Sequence, residues 1–334
     1  MSFTSAHTLR HEDADRILKQ ADLMGYMAAG FTDLEIADRD QAHLREFAEA
    51  GNAGEMHWFG RHLALRSNPA KVFPGAQGAL VLATYYRDRQ AEAELARARY
   101  PVSRYALGRD YHRLLRKKGQ RLLNWIQSEI EPPIQGRVCV DSAPVPEKIL
   151  ARKAGIGWQG KHTNVIHPRA GSYFFLSVIL LDCIVPPAPP PTDLCGQCRL
   201  CLDACPTQAL AEVGDHYEID AGRCLSYLNI EHPDAWPDEL QPLHAQRVFG
   251  CDICQEVCPY NRNRSARNLD TTEDAFRMRP VVRAFMHNGD MTLAEQGDAL
   301  LEGSALRRAG RDKLQQTLHY IETKHVESKP GHDG

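Results

Sequence analysis

Eight of the ten cysteines fall in a pattern that few folds can satisfy. Cys195, Cys198, Cys201 and Cys205 are spaced C-x2-C-x2-C-x3-C, with Pro206 directly after. A shorter echo follows: Cys251-x2-Cys254-x3-Cys258, then Pro259, with Cys224 standing alone between the two runs. Two-residue gaps let a tight turn bring three sulfurs round one inorganic core. The longer gap throws the fourth sulfur away, and the proline ends the turn. Eight thiolates suffice for two [4Fe–4S] clusters with four ligands each.

Zinc could use the paired C-x2-C units, but it has no need of the third cysteine or of the trailing Cys-Pro. Disulfides would need an oxidising compartment. Met1 to Arg10 has neither an apolar core nor a twin arginine, which predicts a cytoplasmic protein. Cys139 and Cys183 lie in apolar, strand-like runs and are expected to be buried core thiols. The runs resemble those of bacterial two-cluster ferredoxins. That resemblance implies Cys195, Cys198, Cys201 and Cys258 on one cluster and Cys205, Cys224, Cys251 and Cys254 on the other. Spacing alone also allows Cys205 and Cys258 to stay with their own runs.

The cysteine region is about a fifth of a 334-residue chain, long enough for two or three domains. No run of eighteen apolar residues predicts a membrane span. The net charge of -3 argues against a protein that is basic throughout. It hides an asymmetry, because residues 97–121 hold nine Lys/Arg and one acid, a stripe compatible with a polyanion.

Along the chain, residues 10–50 read as helices, with apolar spacing around Ile17, Leu18, Ala21 and Leu23, then Leu44, Phe47 and Ala48. Ala79 to Thr84, Arg137 to Asp141 and Ser172 to Leu181 read as strands. Gly108 to Ile130 reads as a long helix with one apolar and one basic face. Ile149 to Ala154 reads as a short helix, and Gly155 to Asn164 as a loop with three glycines. Alternating strands and helices give an α/β or α+β layer structure. Five prolines in residues 186–191 predict a stiff connector. The expected domains are 1–185, a cluster module at 186–264, and a helical region at 265–334 with a frayed tail. Ala305 to Leu318 is the most periodic part of that last region.

Several motifs, in order from about residue 50 to 318, resemble the epoxyqueuosine reductase family. They are Tyr105-Ala-Leu-Gly-Arg-Asp-Tyr-His112, Val140-Asp-Ser-Ala-Pro-Val145, Gly157-Trp-Gln-Gly-Lys-His-Thr163, Cys224-Leu-Ser-Tyr-Leu-Asn-Ile-Glu-His232, Gly250-Cys-Asp-Ile-Cys-Gln255 and Gly303-Ser-Ala-Leu-Arg-Arg308. The resemblance implies a cobalamin-dependent oxidoreductase that reduces epoxyqueuosine to queuosine at the tRNA wobble position. It implies a corrinoid-binding fold akin to that of reductive dehalogenases, with a ferredoxin-like module feeding electrons to cobalt. A reductive dehalogenase-like enzyme or a plain two-cluster electron carrier are the alternatives.

Under the same resemblance Asp141 is the proton donor. As an acid at neutral pH it would need a raised pKa, obtained by burial beside the corrin. Cobalamin contacts are expected from Arg61, Tyr105, Asp141, Lys161, Thr163, Ser226, Asp252 and Gln255. Asp110-Tyr111-His112 is read as structural, with no protein histidine on cobalt. Candidate tRNA contacts are Arg113, Arg116 and Lys117 on the basic helix, Arg262 after the clusters, and Arg307 and Arg308. An external electron donor and a monomeric state complete the expectation.

Overall fold

The first half of the chain is built round a strand that is buried along its whole length. In chain order the elements are helix α1 (His11–Leu23), strand β1 (Ala28–Thr32), helix α2 (Asp38–Glu49), strand β2 (Gly78–Tyr85), helix α3 (Tyr111–Glu129), strand β3 (Gly136–Cys139), helix α4 (Glu147–Lys153) and strand β4 (Phe174–Leu181). This computed structural model describes residues 7–186, 188–189 and 191–327. Part of the Met1–Arg10 reading, Pro187 and Pro190 of the connector, and the tail from residue 328 lie outside the described residues.

The sheet order is β1-β2-β4-β3, and every neighbouring pair is antiparallel. Gly78 lies opposite Leu181 and Tyr85 opposite Phe174. Successive side chains point to opposite faces. On one face Leu80, Leu82 and Ile179 join Ile17 and Ala21 of α1 and Leu122 and Ile126 of α3 in one core. The other face receives α4, which packs on β2 and β4. Gly30 of β1 pairs with Val81 and so faces that second side. A Cβ there would stand 2.0 Å from the Ala154 carbonyl oxygen, just past the end of α4.

The chain divides into two compact units that interleave in sequence. One takes Met1–Ala50, His57–Tyr85 and Tyr111–Cys198, and the other Gly51–Met56, Tyr86–Asp110 and Arg199–Gly334. The sequence reading instead has three consecutive segments. The difference comes from Tyr86–Asp110, whose Tyr100, Val102 and Leu107 sit in a core with Val248, Phe249, Phe285, Leu314 and Leu318. That second unit contains a hairpin of Leu210–Val213 with His216–Ile219. It also contains helices Pro280–Asn288, Asp290–Leu301 and Gly310–Glu327. The periodic stretch from Ala305 is first a 3-10 turn, Ala305–Arg308, and then the last of these helices.

Three further expectations need correction. Residues 10–50 are not helical throughout, because β1 intervenes; its Ala-Ala-Gly-Phe-Thr sequence has strand character only through pairing with β2. The glycine loop contains strand Trp158–Gln159, paired with Val165–Ile166. The basic face of α3 is interrupted by Lys118, which is 1% exposed. Its ammonium donates to the Gly25 carbonyl at 3.1 Å and lies 4.4 Å from the Tyr26 ring centroid, so that charge serves packing.

Gly30→Ala should therefore lower stability by about 1–3 kcal/mol in urea unfolding. Gly60→Ala, where a Cβ meets nothing within 4 Å, should cost nothing measurable.

Candidate functional site

Asp141 does not end strand β3 but stands two residues past Cys139, in a turn with φ of 52°. Ser142 N–H donates to the Val140 carbonyl at 2.6 Å and Val145 N–H to the Ala143 carbonyl at 2.8 Å, so the segment is a succession of tight turns. The Asp141 side chain is 55% exposed, and protein atoms alone do not supply the burial expected of it. Asp141 Oδ2 meets His112 Nε2 at 2.7 Å. His112 is in the first turn of α3, next to Tyr111, which stacks on Phe175 at 4.0 Å between centroids. The Asp110-Tyr111-His112 sequence thus places an imidazole on the aspartate, a contact the sequence reading missed.

Behind Asp141 stands a second carboxyl, Glu147, the half-buried first residue of α4. Its Oε1 accepts the Asp141 backbone N–H at 2.8 Å. Burial, and then the charge of Asp141, push Glu147 up to about 8, against the opposing effects of that N–H, Arg66 and His112. The Arg66 guanidinium is held over the Phe59 ring at 4.8 Å. An acid six residues after Asp141, directly behind Pro146 at a helix start, was the available signal.

Lys148 anchors the glycine hairpin to α4. Its ammonium donates to the Thr163 carbonyl and to Asn164 Oδ1, both at 3.1 Å. Thr163 has φ of 65°, and its N–H donates to the Gly160 carbonyl. His162 is 2% exposed and its Nδ1 accepts the Asn164 N–H at 3.2 Å. That leaves the proton of the neutral ring on Nε2, which has no protein partner. Burial, and then the Lys148 charge, push His162 down to about 4, so the ring is neutral. Lys161 Nζ donates to the Gly196 carbonyl at 2.7 Å. Arg61 is exposed at the end of the short helix His57–Arg61.

In the second unit the thiols crowd together. Burial, and then the neighbouring thiols Cys251, Cys224 and Cys201 together with Asp252, drive the Cys254 thiol well above its ordinary value. Cys251 is pushed up to about 12, by burial before all else. Such a set can ionise only beside cations, which deprotonate coordinating thiols outright. Four sulfurs round one zinc at 2.3 Å bonds would stand about 3.8 Å apart. Among the described residues, no three cysteine sulfurs lie within 4.8 Å of one another. Cys205 Sγ already accepts the Ala209 N–H at 3.3 Å, and in the first unit Cys195 Sγ accepts Trp158 Nε1–H at 3.3 Å. Cys139 and Cys183 are buried as expected, and burial raises both thiols.

Asp252 is 1% exposed and spends its carboxylate on Ser103 Oγ at 2.5 Å, Arg104 N–H at 2.8 Å and Arg104 Nη1 at 3.3 Å. Gln255 is also buried, and Tyr105 packs on Phe249. Ser226 is half-buried in the turn Leu225–Leu228. Of the basic candidates, Arg113, Arg116, Lys117 and Arg307 are exposed. Arg308 is paired with Glu231 at 2.7 Å, and Arg262 donates to the Glu256 carbonyl at 2.6 Å.

Residues 194–261 match the family described as "4Fe-4S double cluster binding domain", and residues 66–142 the family "Epoxyqueuosine reductase QueG, DUF1730". The chain is 43% identical to an epoxyqueuosine reductase of Pseudomonas aeruginosa over 88% of this chain and 81% of that one. It is 38% identical to the Escherichia coli epoxyqueuosine reductase over 86% and 74%. The fold matches a crystal structure of epoxyqueuosine reductase with an epoxyqueuosine-modified tRNA stem loop, at TM-score 0.78, 24% identity, and 95% and 83% coverage. The Streptococcus thermophilus epoxyqueuosine reductase matches at TM-score 0.75, 26% identity, and 93% and 81% coverage.

The raised Glu147 has a stability consequence. Between the ordinary value of 4.5 and about 8 the folded chain holds a proton that the unfolded chain has released. Stability therefore falls as pH rises through that window. Glu147→Gln removes the titration, so its thermal midpoint should decline less from pH 5 to pH 8.5 than that of the native protein.

Proposed function

The chain belongs to the epoxyqueuosine reductase family, and from that premise we infer that it reduces the epoxide of epoxyqueuosine in tRNA to the alkene of queuosine. The reaction takes up two electrons and two protons and releases the epoxide oxygen as water. The observation that carries this reading is the conjunction of two things in one chain. One is a crowded thiol set with two-cluster spacing, and the other is a loop aspartate held by an imidazole and by Glu147.

Electrons enter through two [4Fe–4S] clusters. The ferredoxin pattern assigns Cys195, Cys198, Cys201 and Cys258 to one and Cys205, Cys224, Cys251 and Cys254 to the other. The N–H donors on Cys195 and Cys205 would raise the potentials of the two clusters that these sulfurs would hold. Cobalamin, which the family implies, fits the residues present. The corrin periphery is rich in amide carbonyls, and the orphaned Nε2–H of buried His162 is a donor awaiting such an acceptor. The Thr163 and Lys161 backbone, Arg61 and Asp141, all of the first unit, would hold it. Asp252 braces Ser103 and Arg104 instead of offering a free oxygen. Bound cobalamin supplies low-potential metal-centred reduction that no side chain provides.

The protein's own chemistry is proton supply. Asp141 is exposed, so a substrate base can reach it. Its carboxyl donates to the oxygen leaving carbon, and His112 Nε2, at 2.7 Å, orients and recharges it. Arg113, Arg116 and Lys117 project from one exposed side of α3 and are placed to meet tRNA phosphates, and Arg307 adds a charge elsewhere. We assign the reaction to a cytoplasmic monomer served by a separate electron donor. No described helix is long and apolar enough to cross a membrane.

Two measurements test the reading. Anaerobically reduced, cobalamin-loaded protein is incubated with epoxyqueuosine tRNA, and its nucleosides are analysed. Queuosine should form, and Asp141→Asn should slow its formation by about 10²–10⁴-fold without loss of iron. Absence of queuosine with the native protein contradicts the assignment. Separately, Arg113→Glu with Lys117→Glu should weaken tRNA binding and flatten the dependence of log K on log salt by about 0.7 per lost phosphate contact. Unchanged binding would remove α3 from the tRNA surface.

A further inference from the structure

Asp141 is an L-residue held at φ of 52°, a region where side chains other than glycine cost about 1–2 kcal/mol. It is exposed, and so is Ser142 after it. A proton donor in such a loop needs something rigid to hold its main chain. The rigid partner is α4, whose Ile149, Leu150 and Ala151 are buried and which docks on β2 and β4. Glu147 is its first residue and reaches back to accept the Asp141 N–H at 2.8 Å, while His112 on α3 takes the other end of the same residue at 2.7 Å. The backbone is thus tied to one element and the carboxylate to another, and both elements pack on the sheet.

We propose that Glu147 is the positioning residue of this enzyme, an acceptor that latches the Asp141 main chain so that the proton donor meets the substrate in one pose. The proposal rests on the reductase reading above. The groups facing Glu147 are Asp141 from its loop, Arg66 from the end of the short helix Leu63–Arg66, and His112 from α3. Arg66 and His112 favour its charged form and Asp141 opposes it. What the latch requires is an oxygen at the right reach, which either protonation state provides. A latch acts on the chemical step and leaves tRNA affinity alone, because Glu147 is half-buried at the helix start rather than on the exposed basic side of α3.

The test uses the complete, cobalamin-loaded and cluster-loaded protein with epoxyqueuosine tRNA, and compares three substitutions. Glu147→Gln keeps an acceptor oxygen at the same reach. Glu147→Asp keeps the carboxyl but withdraws the acceptor by one methylene. Glu147→Leu removes the acceptor. The Gln variant should keep kcat within about threefold of native, while Asp and Leu should lose about 10²-fold in kcat with KM within about twofold. Iron content and the thermal midpoint of each variant are measured alongside, and if Leu does not fold, the Asp and Gln pair carries the test. A Gln variant as slow as Asp overturns the proposal, as does an Asp variant as fast as native. So does a loss that falls in KM instead of kcat. If the native protein itself forms no queuosine, the reductase reading fails, an outcome distinct from all of these.

Discussion

Crowded, largely sheltered thiols whose charged forms would repel one another are the condition on which the second unit depends. Cys254 lies beside Cys251, Cys224 and Cys201, and burial together with their mutual charge opposes ionisation. Left to themselves, such groups stay protonated and contribute little beyond weak packing. Only a bound polycation turns the arrangement into a favourable one, and its binding free energy then becomes folding free energy. The surroundings are built to keep the cysteine turns in register. Glu256, at the end of the turn Ile253–Glu256, is clamped by Arg104 and Arg247, both at 2.7 Å. Asn229 donates to the Arg247 and Gly250 carbonyls and accepts the Gly250 N–H, fixing the approach to Cys251. Asp252, between Cys251 and Cys254, holds Ser103 and Arg104 of a distant segment.

The first unit solves a different problem, that of keeping an exposed acid still. Its sheet is buried on both faces, one under α1 and α3 and the other under α4, so the ends of these helices are fixed points. His112 and Glu147 stand at two such ends and grip the two halves of Asp141. The carboxyl with the strongly shifted titration is Glu147 behind the loop, while the Asp141 carboxyl, the proposed proton donor, stays open to solvent. The burden of holding and the burden of reacting thus fall on separate residues.

Those features differ in how far the sequence discloses them. The thiol spacing is legible because cluster geometry is local: gaps of two and three residues are themselves the signal. Strands at Ala79–Thr84 and Ser172–Leu181 are legible because both of their faces are apolar. Strand β1 is not, since Ala28 and Ala29 suit a helix as well, and only its pairing with β2 decides. Lys118 reads as one more charge on a basic helix, and its burial against Gly25 and Tyr26 is visible only once α3 is packed. Asp141 is legible by family resemblance, whereas the shifted titration of Glu147 behind it becomes visible only once the loop is folded onto the start of α4. His112 and Asp141 come together through a helix start and a turn 29 residues apart, a meeting that no local pattern encodes.

The account stands most directly on metal stoichiometry. Anaerobically purified and reconstituted protein should contain about eight irons and about eight acid-labile sulfides per chain, with no stoichiometric zinc. Cys254→Ala should bring iron down to about four, and Cys139→Ala, a core change, should leave it at about eight. Zinc in place of iron, or iron unaffected by the loss of Cys254, would contradict the claim that these thiols hold two iron–sulfur cubes.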